Sequence, residues 1–208
     1  MNSSLYFDEN VNASSSAIIL AGGNSKRMNF PKPWLTFSEN KTFLEHIIDT
    51  YKILGCNKII TVINSKFCIE WMYELNKIKT KSIVIQNHNP EKGRIYSLKL
   101  ALKHLKQVNY AFIHNVDNPS VKRSTLLKLI KSRPKDGYSV PVYKNKSGHP
   151  IYITKNIIEK IKTYSNESTL REILSSEKRT SIHVEDKHVL LNINTTEDYK
   201  KFTENFIF

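Results

Sequence analysis

Residues 17–28 read Ala17-Ile18-Ile19-Leu20-Ala21-Gly22-Gly23-Asn24-Ser25-Lys26-Arg27-Met28, and Lys32 follows shortly after. The apolar run predicts a buried first strand that feeds directly into a glycine pair. Glycine there lets the backbone turn sharply and bring its N–H groups against a ligand with no Cβ in the way. Arg27 and Lys32 add positive charge at the rim of the turn. A strand entering an N–H-rich loop beside two cations is a way to hold a polyphosphate. Neither G-x-x-x-x-G-K-[ST] nor G-x-G-x-x-G is present.

The chain has 208 residues, enough for one substantial core, with 39% hydrophobic and 25% charged residues as in soluble globular proteins. Residues 1–16 are polar and predict a flexible lead-in without the features of a secretory signal, leaving 17–208 as a single domain. The net charge of +13 points to anionic partners. The 32 basic residues are dispersed, which argues for a solvated surface and phosphorylated small molecules rather than nucleic acid. Cys56 and Cys68 suit neither a disulfide framework nor a metal site, and a reduced cytoplasmic setting is expected. No run is long enough to span a bilayer.

Strands are expected at 58–64, 82–86 and 110–114, alternating with helices at 43–54, 67–76 and 93–106. That alternation predicts a mostly parallel sheet covered on both faces. Pro31 and Pro33 predict an extended segment carrying Lys32 back toward the glycine loop. Trp34, Leu35 and Phe37 are assigned to the core. Further on, 138–143 and 151–153 read as a hairpin-like or crossing pair beside the open end of the sheet. Helices at 124–132, 155–162 and 169–174, short strands at 181–184 and 189–191, and a terminal helix from Thr196 capped by Thr195 complete the reading.

Asp117 lies just past a strand's carboxyl end, where open α/β sheets place their ligands. It is the first candidate for a Mg2+ ligand, since Mg2+ takes one or two carboxylates and fills its remaining positions with water and phosphate. Gly93 and Ser97 open a helix, where backbone donors and the positive end of the dipole gather. His149, between Gly148 and Pro150, is a candidate to line an acceptor pocket. Nothing demands a covalent nucleophile, and Ser25 lies outside any G-x-S-x-G context.

Five short motifs occur in one order: L-A-G-G-x-S-x-R-M with Lys32; N-x5-G-x3-S-L (Asn87, Gly93, Ser97, Leu98); D-x-P (Asp117, Pro119); G-H-P (148–150); and I-x-T-x-E-D-Y ending at Tyr199. Together they resemble the MobA/MocA-like nucleotidyltransferases, over nearly the whole chain. The resemblance implies a three-layer Rossmann-like GT-A fold and Mg2+-dependent nucleotidyl transfer to a phosphorylated acceptor such as molybdopterin, releasing pyrophosphate. It implies that Leu20, Ala21, Gly22, Gly23, Ser25, Asn87, Gly93 and Ser97 bind the nucleotide. Arg27 and Lys32 would take the triphosphate, Asp117 and Asn194 the metal, and His149 the acceptor. A molybdoenzyme or its chaperone is the implied protein partner.

Two departures from the family pattern stand out. Asn29 replaces the usual glycine after the methionine, and Asn192 and Asn194 replace aspartates of D-I-D-T-P-E-D. The lysine spacing, N-x5-G-x3-S-L and G-H-P resemble the cytidylyl branch, whereas Gly22-Gly23 resembles the guanylyl branch. CTP is therefore expected over GTP. The rival readings are a nucleotidyltransferase for a sugar or alcohol phosphate, and a non-catalytic nucleotide- or cofactor-binding accessory protein.

Overall fold

A computed structural model describes residues 15–205. In chain order, β1 (Ser15–Ala21) leads to a small antiparallel pair, β2 (Thr36–Ser38) and β3 (Lys41–Thr42). There follow α1 (Phe43–Ile53), β4 (Lys58–Asn64), α2 (Ser65–Glu70), α3 (Met72–Lys79) and β5 (Ile83–Asn87). The second half supplies α4 (Gly93–Leu102), β6 (Tyr110–Asn115), α5 (Arg123–Lys131), β7 (Tyr138–Tyr143) and β8 (Lys146–Ser147). It ends with β9 (Ile151–Thr154), α6 (Lys155–Thr163), α7 (Leu170–Leu174), β10 (Arg179–His183) and α8 (Thr196–Asn205).

Alternation along β1 divides the molecule into layers. Ala17, Ile19 and Ala21 face one core with α1 (Phe43, Ile47), α5 (Leu126, Leu129) and α8 (Phe202). Ile18 and Leu20 face the other, with α4 (Leu98, Leu102), α6 (Ile157, Ile161) and α7 (Ile173). A strand buried on both faces must read as a continuous apolar run, which is what marks it in the sequence. The central sheet runs β10-β7-β9-β6-β1-β4-β5, with β8 paired to β7. Every pairing along this order is parallel except those of β9, which runs antiparallel to both β6 and β7. This is the expected three-layer, Rossmann-like α/β architecture.

Several local readings are corrected. Ser15 and Ser16 belong to β1 and are buried, so the lead-in overreached by two residues; 1–14 and 206–208 lie outside the described residues. The pair at 138–153 is not beside the sheet. β7 turns back into β8 through Lys144 and Asn145, both at positive φ as a two-residue hairpin requires, and β9 then wedges into the sheet between β6 and β7. Lys32 is not extended: Lys32–Trp34 is a single 3-10 turn. Proline is accepted in a first helical turn, where the N–H it lacks has no intrahelical partner. Residues 67–76 divide between α2 and α3 at Trp71, and the strand expected at 189–191 is the 3-10 turn Lys187–Leu190, which Asp186 caps through the His188 N–H. Among the described residues no helix is long and apolar enough to cross a membrane.

Candidate active site

The parallel pairing of β1 and β6 places Leu20 opposite Asn115, so the two strands end side by side. The Val116 N–H then donates to the Leu20 carbonyl at 3.1 Å, which holds the Asp117 turn against the Gly22-Gly23 loop. That loop folds around Ser25. Its carbonyl accepts from Met28 N at 2.9 Å, and its hydroxyl accepts from Lys32 N at 3.2 Å. Met28 is buried and anchors the turn. Asn29 has φ 53°, a left-handed conformation that glycine adopts freely and asparagine tolerates better than most residues. Asn29 therefore meets the conformation this turn requires.

A cleft of about 320 Å³ opens above these strand ends. Leu20, Ala21, Gly22, Gly23, Ser25, Arg27, Lys32, Gly93, Ser97, Asp117 and Asn194 all line it, gathered from four separate stretches of chain. Asn87 does not line it. It is fully buried behind the cleft, donating to Ser97 Oγ at 3.0 Å and accepting from Asn89 N at 2.9 Å. This pair backs Gly22, where an added Cβ would stand 3.1 Å from Ser97 Oγ and 3.2 Å from Asn87 Nδ2. His149 is also outside the lining. Its N–H donates to the Val189 carbonyl at 2.8 Å, and its ring is held below the ordinary histidine pKa by burial and by Arg94, with Asp117 opposing.

Sequence reasoning missed Lys26 and Arg94, which also line the cleft. An exposed cation in a loop or at a helix start looks like any solvated charge, and only the glycine beside Arg94 hinted at its role. Gly93 has φ 83°, the left-handed value that turns Arg94 into the cleft as α4 begins. Among the described residues the lining thus carries four cations, Lys26, Arg27, Lys32 and Arg94, against one carboxylate, Asp117.

Lys32 is the electrostatic centre. Its Nζ lies 2.8 Å from Asn194 Oδ1 and 3.8 Å from Asp117 Oδ2. Burial lowers its pKa below the ordinary 10.5 and Arg27 adds to that, while Asp117 and Asp198 oppose. Arg27 Nη2 donates to the same Asn194 oxygen at 3.3 Å. Asn194 is delivered by the turn that starts α8. Asp198 Oδ2 accepts from the N–H groups of Asn194 and Thr195 at 2.9 Å each, and Thr195 Oγ1 accepts from Asp198 N at 3.2 Å. The Ile193 N–H donates to the Asp117 carbonyl at 2.8 Å, joining the two turns.

Asp117 Oδ1 is buried and has no hydrogen-bond partner among the described residues. A carboxylate oxygen left without a donor is suited to a cation. The Asp117 carboxylate is a hard oxygen donor that fits a divalent ion completing its shell from phosphate and water, whereas Asn194 Oδ1 is taken by Lys32 and Arg27. Among the described residues no group of three or more His, Cys, Asp or Glu gathers to hold one, in the cleft or outside it.

The model of the MobA-like NTP transferase domain matches residues 17–182. The chain belongs to that family. The molybdenum cofactor cytidylyltransferase of Escherichia coli K12 is 25% identical to this NTP transferase over 189 residues, covering 91% of the chain and 95% of that protein. The molybdenum cofactor guanylyltransferase of Campylobacter jejuni RM1221 is 26% identical over 195 residues, covering 89% and 93%. Among solved structures, Rv0371c of Mycobacterium tuberculosis H37Rv superposes with a TM-score of 0.79 at 20% identity, covering 92% of this chain and 99% of that one. The same protein in complex with manganese gives 0.73 at 18% identity, again covering 92% and 99%. The cation-lined cleft and the family membership thus point to one chemistry, nucleotidyl transfer.

Proposed function

We propose that this NTP transferase moves CMP from CTP to a phosphorylated acceptor, molybdopterin, with Mg2+ as the metal, and releases pyrophosphate. The observation that carries the reading is the convergence of Arg27, Lys32 and Asp117 on one cleft at the glycine-lined end of β1. Both relatives named above act on the molybdenum cofactor and cover this chain almost end to end. The spacing to Lys32, the 87–98 motif and Gly148-His149-Pro150 support cytidylyl over guanylyl transfer.

Arg27 and Lys32 bind the triphosphate and stabilise charge on the departing pyrophosphate. Backbone groups of 20–23 seat the nucleotide, with Ser97 and Gly93 closing the opposite wall. Asp117 would hold Mg2+, and the ion would neutralise negative charge developing on the phosphates, while Asn194 would hold Arg27 and Lys32 beside it. The acceptor phosphate is already ionised, so the protein needs no general base. Its contribution is orientation for in-line attack on the α-phosphorus.

Purified protein incubated with each NTP in turn, Mg2+ and molybdopterin tests this directly. The expected result is pyrophosphate and a cytosine dinucleotide product from CTP. Equal turnover of GTP would overturn the nucleotide assignment. Turnover only with a sugar or alcohol phosphate would overturn the acceptor.

A further inference from the structure

The two short helices α2 and α3 meet at Trp71, where the backbone leaves helical geometry at φ −124° and ψ 47°. Phe67, Cys68, Leu75 and Ile78 bury one face of this pair in the core. Ile69, Met72 and Tyr73 lie on the outside, 78%, 62% and 71% exposed. Their i, i+3, i+4 spacing sets them together on one outward face. Among the described residues six large apolar side chains stand exposed, and four of them, these three and Phe30, gather here. Phe30 joins the group through Trp71, which it meets edge-on with ring centres 5.0 Å apart. Apolar side chains scattered singly over a surface need no explanation, whereas a contiguous patch marks a contact surface.

The patch is preformed. Trp71 stacks on buried Trp34 with ring centres 6.4 Å apart, so an aromatic row runs from Phe30 at the surface into the core. Lys77 Nζ sits 4.6 Å from the centre of the Tyr73 ring, and Lys66 pairs with Glu70 at 3.7 Å. Side chains already held in place lose little freedom on docking. Met and Tyr are also among the residue types enriched at protein interfaces.

Charge selects the occupant. The chain carries +13, yet residues 66–77 hold Lys66 and Lys77 against Glu70 and Glu74, which cancel. Two copies of so basic a chain repel at most approaches, and a shared face must avoid that repulsion. Here each copy presents both signs around an apolar centre, so the lysines of one can face the glutamates of the other. An acidic partner would be drawn to the basic remainder of the surface rather than to this neutral face. A patch complementary to itself is what a two-fold dimer requires. We propose that the α2–α3 face docks a second copy of this chain, giving a symmetric dimer with Ile69, Met72 and Tyr73 at the centre of the contact.

Sedimentation velocity on the full chain, from micromolar to submillimolar concentration, tests this. A monomer–dimer equilibrium is expected. Tyr73→Glu should weaken it at least tenfold with the melting temperature unchanged, because the side chain is exposed. Ile53→Glu, at the end of α1 beside Arg123, should leave the equilibrium as it is. Glu70→Lys combined with Glu74→Lys should give monomers, as should Lys66→Glu combined with Lys77→Glu, and mixing the two double variants should restore a dimer. A chain that stays monomeric throughout, a dimer indifferent to Tyr73→Glu, or charge variants that fail to pair on mixing would overturn the proposal.

Discussion

The Lys32 ammonium donates to Asn194 Oδ1 at 2.8 Å across 162 positions of sequence, closing the cleft between the first loop and the start of the last helix. Because Arg27 Nη2 reaches the same oxygen at 3.3 Å, one amide carbonyl holds both loop cations in register. Hydrogen bonds to charged groups contribute about 1.5–3 kcal/mol, and the partial exposure of this pair places the effect near the lower end. Asn194→Ala should therefore raise the Kd for NTP roughly tenfold, measured by titration calorimetry, with the melting temperature little changed. An unchanged Kd would show that Arg27 and Lys32 find their positions unaided.

The lowered pKa of Lys32 gives nucleotide binding an alkaline limb. A neutral lysine no longer attracts triphosphate, so NTP affinity should decline as pH rises through a value below 10.5. Stability moves the other way. The unfolded chain binds more protons than the folded one between the lowered pKa and 10.5, so Lys32 makes the fold more stable with rising pH in that window. Lys32→Arg should push the binding limb beyond the accessible range, since a guanidinium stays charged. Calorimetric Kd values at successive pH steps would show it, and a limb that survives Lys32→Arg would assign it to another group.

Asp117 Oδ1 has no donor facing it among the described residues, so Asp117→Asn should cost the fold little. Turnover should fall at least a hundredfold, because the lone carboxylate that the described residues bring to the cleft is gone. Manganese binding in the presence of NTP, followed by electron paramagnetic resonance, should be lost in parallel. Retained manganese binding with lost turnover would limit Asp117 to orienting substrate.

How far the residues foretold this arrangement varied with how local the cause was. The 17–28 loop was legible because a run buried on both faces and a glycine pair are each dictated within a few residues. The place of β9 was not, since a four-residue apolar run says nothing about whether its neighbours are β6 and β7 or solvent. The turn at Lys32–Trp34 was missed because proline forbids helix interiors but favours helix starts, and the sequence does not say which applies. At 189–191 the apolar residues suggested a strand, yet Asp186 two residues ahead of His188 caps a turn instead. Asn87 has the residue type of a ligand contact, but its amide is consumed in bracing Ser97. Arg94 carried no signal beyond its charge and the glycine before it.

Behind the Asp117 turn, His114 sets the acid limit of the fold. It is buried, with Nε2 2.7 Å from the Asn118 carbonyl and Nδ1 2.8 Å from the Tyr51 hydroxyl. A carbonyl only accepts, so Nε2 carries the proton and Nδ1 accepts from Tyr51. Asn118 in turn donates through Nδ2 to the carbonyls of His188, Val189 and Leu191, tying the Asp117 turn to the segment that leads to Asn194. Burial lowers the His114 pKa to about 4, with the nearby histidines adding to it and the Asn118 carbonyl opposing. The unfolded chain therefore binds the extra proton between pH 6.5 and about 4, and stability falls as pH drops through that window. The loss from this one group is about 3 kcal/mol by pH 4, and His46, also lowered to about 4, adds to the slope. Scanning calorimetry should show a melting temperature that changes little near neutral pH and declines steeply below 6.5. His114→Asn should lower the plateau, because the Asn118 contact is weakened, yet flatten the decline by one proton. An undiminished slope in that variant would place the acid-sensitive group elsewhere.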